Sequence, residues 1–350
     1  MPQVVQFTAP HEVALVDEDP VPLPAGHVRV RTWYSGISAG TEMTAYRGSN
    51  PYLSKTWDEA RRLFVAGEPR FAYPLRGWGY QEVGEVVEVA ADVTEPRTGE
   101  VVFGIWGHRS EAVVPVGKLA AQRMPAGTDP IHGVFARLGA IALNAVLAAE
   151  VHLGEDVAVF GQGVIGLLAT RLAIRSGARV HAIDGFAQRL RLAHRMGAVT
   201  TLTADTAGGV AEALRVATDD RGVDTAIELS GNHHALHEAV RSVGADGTVV
   251  AASFYQGDAV GLRLVEEFHH NRVRILSSQI GGTPPALGTR WNHGRLVEVF
   301  MREVATGGVD VAPLVSHVVD AADAAAAFAR IDDDPASVLQ TVLRFPGAPA

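Results

Sequence analysis

Residues 157–184 read VAVFGQGVIGLLATRLAIRSGARVHAID, and their order decides the fold. A short apolar run, Val157 to Phe160, breaks into Gly161-Gln162-Gly163-Val164-Ile165-Gly166. A helical pattern then runs to Ser176-Gly177, and a second apolar run, Arg179 to Ile183, stops at Asp184. The order is strand, glycine turn, helix, strand, acid. In such a unit the first glycine makes the tight turn and the second lets a pyrophosphate approach the backbone. The third lets helix and sheet pack closely. The free N–H groups and positive dipole end of the helix then hold the phosphates. Glycines set between two strands, with an acid closing the second, predict dinucleotide binding rather than a plain strand–helix–strand turn. The six residues from Gly161 to Gly166 are its first candidate contacts.

Asp184 predicts which dinucleotide. A carboxylate at the tip of the second strand accepts hydrogen bonds from both adenosine ribose hydroxyls and repels a 2′-phosphate. The competing reading makes Asp184 the N-cap of a helix starting near Phe186. The spacing from the glycines favours the ribose role, and with it NAD over NADP. Arg189, five residues on, is placed either against the adenine or on a solvated helix face.

At 350 residues the chain is too long for one compact core, so two domains are expected. A net charge of −9 argues against a nucleic-acid partner. No stretch reads as an uninterrupted membrane span, and the N-terminus MPQVVQFTAPHE lacks the form of a signal peptide, so a cytoplasmic protein is expected. There is no cysteine, which excludes disulfides and thiolate-ligated metal sites.

Upstream of the motif, residues 1–125 read as β-rich. Val28–Trp33 alternates as a half-buried strand, followed by the small-residue loop Ser35–Glu42. Thr56-Trp57-Asp58-Glu59 has the form of a capping box opening a helix through Phe64. Strand-like runs follow at Val83–Val89, Val101–Ile105 and Glu111–Val116. Ile131–Val151 is apolar and Ala-rich and predicts a buried helix. After the motif, strands at Val223–Leu229, Gly247–Ala252 and Val273–Gln279 alternate with helices. This is the pattern of a doubly wound parallel sheet, an α/β fold. Ligands bind such sheets at the strands' carboxyl ends, which nominates Ser230-Gly231-Asn232 and Ser253-Phe254-Tyr255, with Ser230, Gly231, Ser253 and Phe254 as the cofactor contacts. Beyond Pro285, a helix near Arg295–Thr306, a strand near Leu314–Val319, a helix Ala321–Arg330 and a strand Val338–Phe345 read as a return to the first domain. The expected borders are 1–130, 131–285 and 286–350.

This layout resembles the medium-chain dehydrogenase/reductase superfamily. The residues that carry the resemblance are Gly36-Ile37-Ser38, Gly84–Val89, the Gly161 motif with Asp184, and the ending Ala327-Phe328…Leu339…Val342-Leu343. The loop SGISAGTE and Arg290-Trp291…Gly294-Arg295-Leu296 look most like the branch around bacteriochlorophyllide and threonine/sorbitol-type dehydrogenases. The resemblance implies a GroES-like catalytic domain, a Rossmann NAD-binding domain, and hydride transfer between NAD(H) and a secondary alcohol or ketone. It also implies a homodimer through the strand Val273–Gln279. Zinc-type members hold catalytic zinc at three places that here read Ser38, Tyr80-Gln81 and a position near Arg137. None is a good zinc ligand, and an arginine would repel the metal. The pairs His233-His234 and His269-His270 point in different directions and make poor metal sites, so no metal is expected.

Without a Lewis acid, a hydrogen-bonding acid or base must handle the carbonyl oxygen. Ser38, Tyr80 and His108 are the catalytic candidates. Glu42, Gln81, Trp106 and Trp291 are candidates for the walls of a pocket for a small-molecule substrate. Each has a bland alternative as a turn, packing or loop residue. Two other functions stay open: an NADPH-dependent enoyl or quinone reductase, which Asp184 disfavours, and a dinucleotide-binding protein without turnover.

Overall fold

The computed structural model describes residues 1–69, 71–119 and 122–349. Contacts divide the chain into two compact units, Met1–Arg137 with Val311–Ala350, and Leu138–Asp310. Along the first stretch run β1 (Gln3–Ala9), β2 (Glu12–Asp17), β3 (His27–Ile37), the short α1 (Thr41–Tyr46), β4 (Thr56–Asp58), β5 (Leu63–Val65), β6 (Leu75–Arg76), β7 (Glu82–Val89), β8 (Val101–Gly104) and β9 (Glu111–Pro115). Next come α2 (Ala136–Ala148), β10 (Asp156–Phe160), α3 (Val164–Arg175), β11 (Arg179–Asp184), α4 (Ala187–Arg195), β12 (Thr200–Thr203), α5 (Val210–Ala217), β13 (Val223–Glu228), α6 (His233–Ser242), β14 (Val243–Ala251), β15 (Arg274–Ser277) and α7 (His293–Ala305). The return holds β16 (Val315–Asp320), α8 (Ala324–Asp333) and β17 (Gln340–Arg344).

In the first unit one sheet runs β16-β17-β3-β7-β8, with β9 also paired to β3. The returning chain completes it: β17 lies antiparallel to β3, with Thr341 opposite Ile37 and Val342 opposite Gly36. β3 turns Val28, Val30 and Thr32 inward on alternate positions, the period of a strand with one buried face. A second core gathers Phe7, Met43, Tyr46 and Phe328, the rings of Phe7 and Phe328 meeting edge-on at 5.0 Å.

The second unit is a six-stranded sheet in the order β12-β11-β10-β13-β14-β15, parallel at every pairing. All five residues of β10 are buried, as a central strand covered by helices on both faces requires. The order reverses direction between β10 and β13, the switch point where such sheets open a crevice.

Four expectations are revised. The segment from Thr56 to Phe64 is a hairpin, not a helix, with Thr56 opposite Val65, Trp57 opposite Phe64 and Asp58 opposite Leu63. The Thr56 hydroxyl donates to the Glu68 carbonyl at 2.5 Å instead of capping a helix, and the Asp58 carboxylate accepts the Arg61 N–H at 2.9 Å inside the turn. The Trp57–Phe64 ring contact at 5.1 Å rewards this pairing, whereas a helix here would have no apolar stripe to bury. The expected helix from Ile131 opens as a 3₁₀ turn, Pro130–Phe135, capped by Asp129, before α2 begins. α7 belongs to the second unit, not to the return, because Phe300 packs on Gly139, where a Cβ would lie 2.2 Å from its ring. Arg175 adds a bond to Glu303 at 3.0 Å. The second border therefore lies after Asp310, and the first at Arg137 rather than residue 130. Finally, Pro130–Ala148 is long and apolar enough by composition to cross a membrane, but it is mostly buried within the fold and serves as core.

Candidate functional site

The second unit builds the nucleotide half. β10 ends at Phe160, and Gly161 turns with φ +86°, where a Cβ would lie 2.6 Å from the Ser230 nitrogen. At Gly166 a Cβ would fall 1.7 Å from the Gly161 carbonyl oxygen, so α3 reaches the turn only through glycine. Gly163, by contrast, faces open space, and as N-cap of α3 it offers no side chain to the helix's free N–H groups. An unobstructed backbone at the head of α3 fits a pyrophosphate. Val164 and Ile165 enter here as backbone of the first turn. Gln162 enters only through its backbone: its side chain is buried, donating to the Val159 carbonyl at 2.9 Å and accepting from the Thr170 hydroxyl at 3.0 Å.

Asp184 stands at the tip of β11. It does not cap α4 directly, whose N-cap is Phe186; its Oδ1 accepts the Phe186 N–H at 2.8 Å and its Oδ2 the Gln162 N–H at 2.6 Å. The acid is thereby clamped to the glycine turn. Arg189 lies half-buried, its guanidinium 4.6 Å from the centre of the Phe186 ring and 3.8 Å from Asp184 Oδ2. It does not sit on a solvated helix face.

Across the switch point the structure brings in Glu228, which sequence reasoning missed, and ties it to Tyr255, which that reasoning places beside the cofactor. Glu228 ends β13 fully buried, and its carboxylate gathers the Ser230 N–H at 2.7 Å, the Ser230 hydroxyl and the Tyr255 hydroxyl. Burial pushes the Glu228 carboxyl up, and burial together with that carboxylate pushes the Tyr255 phenol up. Tyr255 in turn stacks on His233 at 5.4 Å. This cluster shapes the Ser230-Gly231 and Ser253-Phe254 turns, where Phe254 is exposed. The signal was present in an acid closing the apolar run of β13. Asn144 donates from Nδ2 to the Gly282 carbonyl at 3.1 Å and to Ser278 Oγ at 3.2 Å, a buried tie within this unit. Trp291 carries the Arg295 guanidinium over its ring at 4.5 Å.

The first unit builds a polar cluster from residues far apart in sequence. Tyr80 is half-buried and donates to Ser38 Oγ at 2.6 Å. Its phenol is pushed up to about 12, first by burial and then by the Glu42 charge, against the opposing influence of Ser38, Thr41 and Arg137. Burial lowers the Arg137 guanidinium. His108 is fully buried; its Nε2 lies 2.7 Å from Glu42 Oε2 and its Nδ1 2.6 Å from Ser35 Oγ. It is therefore not an open loop residue, and it has no free ring nitrogen to meet a substrate. The Glu42 and Glu82 charges hold its pKa above the usual histidine range despite burial. Gln81 is buried, its amide oxygen close against Gly36. Trp106 bonds through Nε1 to Thr32 at 2.9 Å and packs with the strand core. Of the expected pocket walls, Gln81 and Glu42 are thus internal, and Trp106 is half-buried against the strand core.

The positions at which the resemblance expects zinc ligands carry a hydroxyl, a phenol, an amide and a guanidinium. Three neutral groups and a cation do not fit a divalent metal, and the neighbouring Glu42 and His108 are committed to each other. Elsewhere among the described residues, His237, Glu266 and Glu267 bring ligand atoms within 4.8 Å of one another. Arg263 and Arg241 already pair with those two carboxylates, and neither histidine pair takes part.

Comparison with known proteins places this geometry. The family model described as zinc-binding dehydrogenase matches residues 164–290. D-guloside 3-dehydrogenase of Escherichia coli (strain K12) is 29% identical over 97% of this chain and 98% of its own length. The 2-desacetyl-2-hydroxyethyl bacteriochlorophyllide A dehydrogenase of Cereibacter sphaeroides is 28% identical over 89% of this chain and 88% of its own. The solved structure of galactitol-1-phosphate dehydrogenase from Escherichia coli superposes with a TM-score of 0.79 at 19% identity, covering 98% of this chain and 99% of that one. The protein is an NAD(P)-dependent dehydrogenase. Its likeness runs to dehydrogenases along nearly the whole chain, and to the zinc-binding dehydrogenase family model over residues 164–290.

Proposed function

We propose that the protein is a zinc-independent oxidoreductase that interconverts a secondary alcohol and a ketone with NAD(H), on a polyol or sugar-like substrate. The observation that carries the reading is the Tyr80–Ser38 hydrogen bond, standing where zinc-type relatives need metal ligands. The nicotinamide, when bound, supplies or accepts the hydride. Negative charge then grows on the substrate oxygen, and a donor must meet it. Tyr80 stays protonated across the physiological range and gives its proton to that oxygen; Ser38, already bonded to the phenol, orients it and relays the proton. In the oxidative direction the phenol first gives up its own proton to solvent, and the phenolate then takes the hydroxyl proton through Ser38, so that direction gains as pH rises. Asp184, held by two backbone N–H groups, has the form of a ribose acceptor and supports NAD. The near full-length likeness to a dehydrogenase named for the 3-position of D-gulosides supports a ring or chain secondary hydroxyl as the reacting group.

A homodimer and a cytoplasmic setting belong to the same proposal. β15 is an outer strand whose Leu276 is 41% exposed, and an apolar open edge favours pairing with a second copy. The test is a titration with NADH and NADPH, then a fluorescence screen of ketones and enones after exhaustive chelation. Tight NADH binding with chelator-resistant ketone turnover is expected. Preference for NADPH with enone turnover moves the protein to the reductase reading. Loss of turnover on chelation, restored by zinc, overturns the zinc-independent one.

A further inference from the structure

We propose that Glu82 and Ser35 are positioning residues for the proton chemistry of Tyr80: with His108 and Glu42 they form a buried hydrogen-bonded chain that fixes charge and geometry beside the Tyr80–Ser38 pair. This rests on the reading of Tyr80 above and adds two residues that the reading does not use. The chain has no gap. Glu82 Oε2 accepts the Trp106 N–H at 2.8 Å, and its Oε1 accepts the Ser35 hydroxyl at 3.1 Å. Ser35 Oγ meets His108 Nδ1 at 2.6 Å, and His108 Nε2 meets Glu42 Oε2 at 2.7 Å. All four residues are fully buried.

The bonding pattern sets the protonation. With Glu82 ionised, Ser35 spends its one proton on that carboxylate and can only accept from His108; an ionised Glu42 also only accepts. Both ring nitrogens must donate, and the ring is an imidazolium between two carboxylates. The chain joins β3, α1, the start of β7 and the loop after β8, where the His108 N–H donates to the Trp78 carbonyl at 2.8 Å. Its Glu42 end acts on the phenol through charge. Glu42 Oε1 is buried without a hydrogen-bond partner among the described residues, and its charge acts on Tyr80. The Gln81 backbone N–H also bonds to Glu82, the Arg137 guanidinium acts on the Tyr80 phenol, and from α8 the apolar ring of Phe328 lies 6.0 Å from His108. Stability alone does not account for it, because a buried ion pair seldom outperforms apolar residues of the same volume.

Glu82→Gln keeps the shape and removes one charge. Its loss lowers the pKa of His108, so the ring stops donating from both nitrogens at a lower pH. The alkaline limb of kcat is expected to move acidward by about one pH unit, with kcat down about tenfold and KM and NADH affinity within about twofold. The His108 ring ¹⁵N signals titrate at lower pH than in wild type, and Glu82→Asp recovers part of both effects. Ser35→Ala gives the same limb shift and serves if Glu82→Gln fails to fold. A fall in kcat with an unmoved limb and unmoved His108 titration overturns the proposal and leaves a plain strut. So does an unchanged kcat. Wild-type turnover in Tyr80→Phe sinks the reading of Tyr80 instead, while the His108 titration still reports on the chain by itself.

Discussion

Two hydroxyls carry the acid–base work in the proposed reaction, and their residue-level chemistry is testable. Tyr80→Phe removes the proton but keeps the ring, so kcat is expected to fall by about 10²-fold or more with NADH affinity unchanged. Steady-state kinetics with a tryptophan-quench titration reads both, and a wild-type rate refutes the role. Asp184 makes the second residue-level case. Asp184→Asn retains one acceptor oxygen for the turn N–H groups but no longer repels a 2′-phosphate. NADH affinity is expected to weaken by about tenfold, near 1.4 kcal/mol, while NADPH affinity rises. Equal losses for both nucleotides would mean that the acid only braces the turn. The place of Asp184 at the tip of β11 was legible because it follows from a fixed spacing after three glycines. Glu82 was not: it lies one residue beyond Tyr80-Gln81 inside a strand-like run, and its partners Ser35 and His108 stand 47 residues before it and 73 residues apart from each other. No local pattern announces a bond that only a folded sheet creates.

At the scale of elements, the parallel sheet was readable almost strand by strand. Buried parallel strands are continuous apolar runs, and β10, β11 and β13 are of that kind. The hairpin β4–β5 shows where local reading fails. Thr56 and Glu59 satisfy a capping-box pattern, yet a helix also needs a face to bury, and Trp57 finds its partner across a strand pair instead. β15 has the converse property: its sequence marks it as a strand, and its place at the sheet edge leaves Leu276 exposed. If that edge joins two copies, Leu276→Glu is expected to convert a dimer to a monomer in light scattering after size exclusion, with the melting profile of the isolated chain retained. A dimer that persists in the variant assigns the contact to another face.

For the whole molecule, the buried chain in the first unit sets a direction of stability with pH. His108 has a folded pKa raised above its unfolded value, mainly by Glu42 and Glu82 acting against burial. Its contribution is complete below the unfolded pKa of about 6.5 and is lost as pH rises through the folded value. Glu82 is also raised, by burial, so it gives up its proton later in the folded state than in the unfolded one. Folding is therefore penalised progressively as pH climbs from the ordinary carboxylate range to its folded value. Both groups push the same way, toward lower stability as pH rises. The melting temperature is expected to decline between pH 6 and pH 9 in the wild type and to decline less in His108→Asn, which is less stable overall but carries no titrating ring. Thermal denaturation across that range, at fixed ionic strength and without nucleotide, measures the difference of slopes. Parallel slopes would mean that His108 binds its proton equally in the folded and unfolded chain, and that the buried carboxylates do not raise its pKa.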